Sequence, residues 1–351
     1  MTSTQRPSRS ARSSSRIAVI GAGMAGIACA RTLMQAGHAV QVFEKSRGAG
    51  GRMSTRRTEF GSFDHGAQYF TVRDARFQQA LDTSPSLFQP WRANTIQVQD
   101  GAGRVVAAAR PQQQERYVAT PGMNALVRHW AEPTQLHLET LVTRLEPDRL
   151  DPQLWQLQTT GPDDSSRVHA GFDAVLLALP SAQALALLRA CGQLPHVQEQ
   201  LGQVEVAPCW TLMLAFAQAV GGSAFGPHWQ VARSDHHRVA WLAREGSKPA
   251  REAIERWTVQ ASPEWSLRHL EDDAERVKAK LLRAFTEVTG IRTAPTLAQA
   301  HCWRYAQTLK PLGRSHVWDA SRRLGLCGDW CLGRRVEDAF VSGLELALAV
   351  A

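Results

Sequence analysis

Tyrosine is scarce in this chain: 351 residues hold only Tyr69, Tyr117 and Tyr305, so a site walled by paired tyrosines has few residues to draw on. Long apolar runs are missing too. No window approaches the roughly 18 uninterrupted apolar residues of a membrane-spanning helix, and a soluble globular protein is expected. The six cysteines, Cys29, Cys191, Cys209, Cys302, Cys327 and Cys331, are scattered, with no C-x-x-C pair among them. That disfavours a disulfide framework or a cysteine metal centre, and the expectation is no metal and a reducing, cytoplasmic setting. Acidic residues are absent from the first sixteen positions, which are rich in Ser and Arg. With no apolar core this stretch does not read as a signal peptide, and residues 1–15 are expected to form a disordered basic tail. Arg6, Arg9, Arg12 and Arg16 supply half of the formal charge of +8. The rest is only mildly basic, so nucleic acid is not expected as a partner, nor is a membrane.

What the chain does have is a short apolar strand, Ile17 to Ile20, running into Gly21-Ala22-Gly23-Met24-Ala25-Gly26 and then into helix-forming residues up to Gln35. In such a G-x-G-x-x-G turn the first glycine permits the tight turn, the second lets backbone approach a pyrophosphate, and the third lets helix pack on strand. The helix N-terminus then offers free N–H groups to the phosphates. A second strand, Ala39 to Phe43, ends at Glu44, where an acid meets ribose hydroxyls. This unit alone does not distinguish NAD from FAD, which share the adenosine cradle. A second glycine cluster, Gly48 to Gly51, with Arg47 and Arg52 beside it, suits a ligand whose pyrophosphate continues toward a ribityl chain, with Arg52 on a phosphate. Downstream, Leu324 to Cys327 reads as a strand ending at Gly328-Asp329, followed by a helix from about Val336. An acid for a ribityl hydroxyl and a helix N-terminus aimed at a carbonyl make an isoalloxazine cradle.

The combination of GAGMAG at 21–26, GAGGRMSTRR at 48–57, DHGAQYFT at 64–71, ASPEWS at 261–266 and GDWCLGRRVEDAFVSG at 328–343 resembles the bacterial renalase family, part of the amine-oxidase-like flavoproteins. The resemblance spans the chain from about Ile17 onward. It implies an α/β fold like that of p-hydroxybenzoate hydroxylase: a Rossmann-type FAD-binding domain with an inserted α+β substrate domain. It also implies noncovalent FAD and oxidation of 2-dihydro and 6-dihydro isomers of NAD(P)H to NAD(P)+, with molecular oxygen reduced to hydrogen peroxide. Carried over by motif, the FAD-binding positions are Gly21, Gly23, Ala25, Gly26, Glu44, Lys45, Gly51, Arg52, Gln68, Val142, Gly328, Asp329 and Val336.

At this length two domains are expected. The FAD-binding domain is assigned residues 16–70, 117–180 and 303–351, and the substrate domain 71–116 and 181–302. Strands are expected at 135–144, 154–160 and 172–179, although 151–167 also looks like a surface hairpin loop, and a hairpin is expected at 229–232 and 239–243. Further strands are expected at 257–261 and 298–305, with a helix at 273–289 between them. Trp210, Trp229, Trp241, Trp257, Trp265 and Trp303 are read mainly as core, with an aromatic wall over the flavin as the functional alternative. His236 and His237 fall in a turn and are expected to be solvated.

A dihydropyridine donor asks the protein mainly to orient two flat rings and exclude solvent. Candidates for that face are His65, Gln68 and Tyr69 from the second motif, with His301, Trp303 and Tyr305 from the returning strand. Three readings stay open beside this one: an amine oxidase or desaturase of the same fold, a non-catalytic flavin- or NAD-binding regulator, and a dehydrogenase using a quinone or protein acceptor.

Overall fold

Four of the five residues of the strand Arg16–Ile20 are fully buried, as befits a parallel strand covered on both faces. It lies inside a six-stranded sheet ordered Val317–Asp319, Leu324–Leu326, Ala174–Leu177, Arg16–Ile20, Ala39–Phe43, Gln135–His137. All neighbours are parallel except the edge strand Val317–Asp319. The computed structural model describes residues 14–98, 105–108, 114–220 and 225–351.

Alternate residues of these strands feed two cores. Ile17, Val19, Val42 and Leu176 pack under the helices Met24–Gln35 and Val336–Val350. Ala18, Ile20, Val175 and Leu177 pack under the helices Ser181–Ala190 and Pro195–Leu201 and a three-stranded antiparallel sheet of Leu141–Pro147, Trp155–Thr160 and Ser166–Phe172. The strand expected at 172–179 is thus two strands in two sheets, and 151–167 holds the expected hairpin, Trp155–Thr160 pairing antiparallel with Ser166–Phe172 across a turn at 161–165.

The second large sheet has seven strands, ordered Leu297–Lys310, Glu205–Val220, Ile254–Ala261, Val239–Arg244, Val231–Ser234, Thr95–Val98, Val105–Ala108. The helix Ala274–Thr289 covers one face. Asp273 caps it by accepting from Glu275 N–H at 2.7 Å, and Gly290 ends it in the left-handed region at φ 74°. Its apolar stripe of Val277, Leu281, Ala284, Phe285 and Val288 packs with Trp210, Trp229, Trp257 and Trp265. Those four indoles face away from the first sheet, so they are core; only Trp241 and Trp303 of the six lie toward the glycine motifs.

The packing divides the chain differently from the expected limits. Residues 181–201 pack on the parallel sheet, and Phe77, Leu81 and Trp91 join its core. The limit at 302/303 falls inside the strand Leu297–Lys310. Of the expected tail, residues 1–13 lie outside the described residues, while Ser14 donates to Gly37 O and Ser15 N–H to His38 Nδ1. His236 is buried, with Nε2 3.1 Å from Glu287, so its expected solvation is corrected; His237 beside it is exposed. Among the described residues no helix is long and apolar enough to cross a membrane.

Candidate active site

The glycine turn is built as its spacing requires. Gly21 has φ +107°, and a Cβ there would lie 2.5 Å from Ala178 O; one on Gly26 would lie 1.9 Å from Gly21 O. Gly23 is different, because a Cβ would meet nothing within 4 Å, so the space in front of it is open. Ala25 is buried on the adjoining helix, where Gly343 of the C-terminal helix crosses so closely that a Cβ would lie 2.1 Å from Ala25 O. No side chain caps the helix that starts at Met24, which leaves its terminal N–H groups to another acceptor. The second turn, with Gly50 and Gly51 both at positive φ, lies against the first, Gly51 facing the Gly23 Cα.

Glu44 accepts hydrogen bonds from Ala22 N–H and Ser46 N–H, both at 2.8 Å, which hold its carboxylate at the mouth of the turn with lone pairs to spare. Lys45 beside it is exposed. The Glu44 carbonyl receives Thr140 N–H at 2.9 Å, bringing Val142, two residues on, to the same end of the sheet. The guanidinium of Arg52 is bidentate on Asp329, at 2.9 and 2.5 Å, and also donates to Ala306 O. Asp329 accepts from Thr308 Oγ1 as well, and Gly328 N–H donates to Ser342. Val336 opens the C-terminal helix as expected. The open face at Gly23, the uncapped helix end, the carboxylate of Glu44 and the polar group at Asp329 fit a dinucleotide lying from the first glycine turn toward the C-terminal helix.

Across from this cradle the seven-stranded sheet presents a row of directly paired residues: Arg233 opposite Trp241, Trp241 opposite Gln260, Gln260 opposite Thr211, and Thr211 opposite His301. The segment from His65 to Tyr69 runs over that row. The His65 ring meets His301 edge-on at 5.0 Å and Trp303 at 5.1 Å, and Trp303 Nε1 donates to His65 O at 2.9 Å. Gln260 Nε2 donates to Gly66 O at 2.7 Å, and Tyr69 packs on Trp241 at 5.8 Å. A Cβ on Gly66 would lie 2.1 Å from Arg52 O, so only glycine lets the segment pass this close to the second glycine turn. Burial, and then the neighbouring His301 and Arg56, push His65 down to about 3. Burial and Arg56 also lower His301. Both imidazoles are therefore neutral near pH 7, and His65 Nδ1 is buried with no hydrogen-bond partner.

Behind the segment lies a cluster that the sequence reading missed. Asp64, Glu245, Lys248 and Arg251 have fully buried side chains or nearly so. Lys248 Nζ lies 3.0 Å from Glu245 Oε2 and 3.3 Å from Asp64 Oδ2, which also receives Arg251 at 2.7 Å. Thr55 and Met123 N–H bind the other Asp64 oxygen. Burial alone would raise Asp64, but Lys248 and Arg251 outweigh it and hold the carboxyl at about 2. Gln68 belongs to this cluster: its amide donates to Asp64 O and Gly66 O and accepts from Lys248. The signals were the Asp that begins the DHGAQYF motif and the Lys-x-x-Arg pair at 248–251. Neither identifies its partners, since the strand Val239–Arg244 and the loop after it meet Asp64 only in the fold.

Of the candidate catalytic residues the structure brings together His65, His301 and Trp303. Tyr69 stands at the far end of the segment, against Trp91 and Trp241. Tyr305 shares a strand with Trp303 but has no ring contact with the His65 group among the described residues.

A glycine cradle on a parallel sheet, faced by a mixed sheet carrying polar and aromatic residues, defines a two-layer dinucleotide-dependent oxidoreductase. Residues 94–351 match the family described as flavin containing amine oxidoreductase, and residues 19–84 match a NAD(P)-binding Rossmann-like domain. The chain belongs to that flavin-containing family, and its cofactor is FAD. Among curated proteins it is similar to a 4,4'-diapophytoene desaturase of Staphylococcus haemolyticus, 38% identical over 79 residues, or 20% of this chain and 16% of that one. It is also similar to a bifunctional tRNA 5-methylaminomethyl-2-thiouridine biosynthesis protein of Magnetococcus marinus, 28% identical over 61% of this chain and 36% of that one. The chain thus spans well under half the length of these curated relatives. Two solved structures share its fold: a putative protoporphyrinogen oxidase from Exiguobacterium sp. 255-15, TM-score 0.75 at 13% identity over 97% of this chain and 99% of that one, and cyclohexylamine oxidase from Brevibacterium oxydans, TM-score 0.70 at 14% identity over 96% and 99%.

Proposed function

We propose that this flavoprotein oxidises 2-dihydro and 6-dihydro isomers of NAD(P)H to NAD(P)+, with dioxygen as the acceptor and hydrogen peroxide as the product. When bound, noncovalently, FAD would supply a two-electron hydride acceptor that dioxygen can reoxidise. Residues 21–26 and 51 would hold the pyrophosphate, Glu44 the ribose hydroxyls, Asp329 the ribityl chain, and the helix beginning at Val336 the ring system, with Lys45 and Val142 toward the adenosine end. Arg52 acts through Asp329, fixing its carboxylate.

The observation that carries this reading is the neutrality of the group at His65. A dihydropyridine gives up hydride without first losing a proton, so its oxidation calls for flat walls and dryness, not for a base. His65, His301 and Trp303 provide such walls, with both imidazoles kept uncharged. The nearest carboxylate, Asp64, is committed to Lys248 and Arg251. A second reading, oxidation of a primary amine, is favoured by the family that residues 94–351 match, flavin containing amine oxidoreductase.

Anaerobic stopped-flow decides between them, with 2-dihydro-NAD, 6-dihydro-NAD, ordinary 4-dihydro-NAD and a primary amine each mixed with the holoenzyme while visible flavin absorbance is followed. Fast bleaching by the 2- or 6-isomer alone is the expected result. Bleaching by the amine alone would transfer the assignment to amine oxidation, and no bleaching by any of the four would overturn both.

A further inference from the structure

The sheet row that starts at His301 ends in positive charge. Arg116 is 4% exposed, its guanidinium 4.7 Å above the Tyr69 ring and 5.4 Å from the Trp241 ring. Its guanidinium hydrogen-bonds Thr95 Oγ1 at 3.3 Å and the Tyr69 side chain, and among the described residues it forms no ion pair. A cation so buried normally pairs with a carboxylate. Burial lowers its pKa, and of its neighbours Tyr69 opposes that shift while Arg233 adds to it. Glu115, the next residue in the chain, is turned to Arg92 and to the Tyr117 hydroxyl. Beside Arg116 the Trp241 indole N–H is buried with no acceptor, and Arg233, exposed, is the cross-strand partner of Trp241. Two cations and an unused donor converge where, among the described residues, no carboxylate meets them.

We propose that Arg116, Arg233 and the Trp241 indole N–H form an anion subsite that takes a phosphate group of the substrate. The inference rests on the dihydronicotinamide reading for the identity of that substrate, and on geometry alone for the subsite. Trp241 lies three strands from His301 in the row, roughly 14 Å at a strand spacing of about 4.8 Å. For a nicotinamide ring seated at His301 and His65, that span matches the reach from the ring to the phosphates of the same dinucleotide. The guanidinium offers a planar fork suited to phosphate oxygens, and the indole adds one neutral donor. The same charge works against a protonated amine approaching along the Tyr69–Trp241 wall, which gives the site selectivity as well as affinity.

Calorimetric titration of the FAD-loaded holoenzyme with inorganic pyrophosphate tests the subsite directly. Saturable binding that weakens with added salt is expected. Arg233→Ala, at an exposed position that leaves folding intact, should weaken it about tenfold, Arg116→Gln by at least as much, and Trp241→Phe, which keeps the ring and removes the donor, about threefold to tenfold. No binding by wild type, or an affinity unchanged in Arg233→Ala and Trp241→Phe, would overturn the proposal. So would acetate competing as well as pyrophosphate, since the site would then be one for carboxylates. With 2-dihydro-NAD as substrate, Arg233→Ala should raise KM about tenfold with kcat retained, while the corresponding 2-dihydronicotinamide riboside, which lacks phosphates, should respond equally poorly to both enzymes. If no dihydronicotinamide bleaches the flavin yet pyrophosphate binding follows the variants, the substrate reading falls and the anion subsite stands.

Discussion

His65 is kept neutral by a buried setting that offers its Nδ1 nothing, and that has a consequence for stability. Its pKa is about 3 in the folded protein against an ordinary 6.5, so between these values the unfolded chain binds the extra proton and stability falls as pH falls. Asp64 adds to the loss lower down: its carboxylate stabilises the fold above its ordinary 3.8, and that contribution disappears as pH drops toward about 2. Urea midpoints should therefore decline from pH 6.5 to pH 4.5, by at most about 1.4 kcal/mol per pH unit for the one imidazole, and His65→Asn should flatten the slope. Identical slopes in the two proteins would mean that His65 is not the titrating group. A second residue-level expectation concerns Lys248. Lys248→Met strands Glu245 and weakens the setting of Asp64, which should lower stability by about 3–5 kcal/mol. Adding Glu245→Gln restores neutrality and should recover part of that loss in a urea double-mutant cycle; additive losses would show that the two do not interact.

At the scale of elements, two helices depend on missing side chains. Gly343 places the C-terminal helix Val336–Val350 against the helix Met24–Gln35 at a separation that a methyl group cannot enter. Gly343→Ala should push the helices apart, lower stability by about 1–3 kcal/mol and reduce flavin occupancy in the purified protein; a variant with wild-type melting temperature and full flavin content would refute this. These elements were legible in the sequence because their signals are local. Gly21, Gly23 and Gly26 announce a turn, the run at 17–20 a buried strand, and the residues after Val336 a helix. The seven-stranded sheet was only partly legible. Val239–Arg244 and Ile254–Ala261 show in their alternation, but the row from Arg233 to His301 is made by five strands far apart in the chain, and periodicity carries no information about which strands pair. Arg52 marks the same limit: its motif suggested a phosphate, while the residue it meets, Asp329, lies 277 positions away.

At the scale of the whole molecule the two sheets meet at a few polar joints, and Asp329 is one of them. It ends the parallel strand Leu324–Leu326, holds Arg52 of the second glycine turn, and accepts from Thr308 on the long strand Leu297–Lys310 of the other sheet. A cofactor lying along the cradle touches the same parts, so its binding should stabilise both layers together and not the parallel sheet alone. With FAD at about a hundredfold excess over its Kd, linkage adds about 2.7 kcal/mol, which for a chain of this size moves the melting temperature by roughly 3–4 °C. Asp329→Ala removes the shared acceptor and leaves the Arg52 guanidinium without its carboxylate. We expect it to raise the Kd for FAD by about tenfold or more, in keeping with the loss of a charge-assisted contact, and to shrink the FAD-dependent rise in melting temperature accordingly. Differential scanning calorimetry of stripped and reconstituted protein reads both effects. If FAD shifts the melting of Asp329→Ala as far as that of the wild type, Asp329 joins the sheets without holding the cofactor, and the ribityl assignment must be abandoned. A single transition in the wild type that splits in two on FAD removal would locate the coupling of the layers in the cofactor itself.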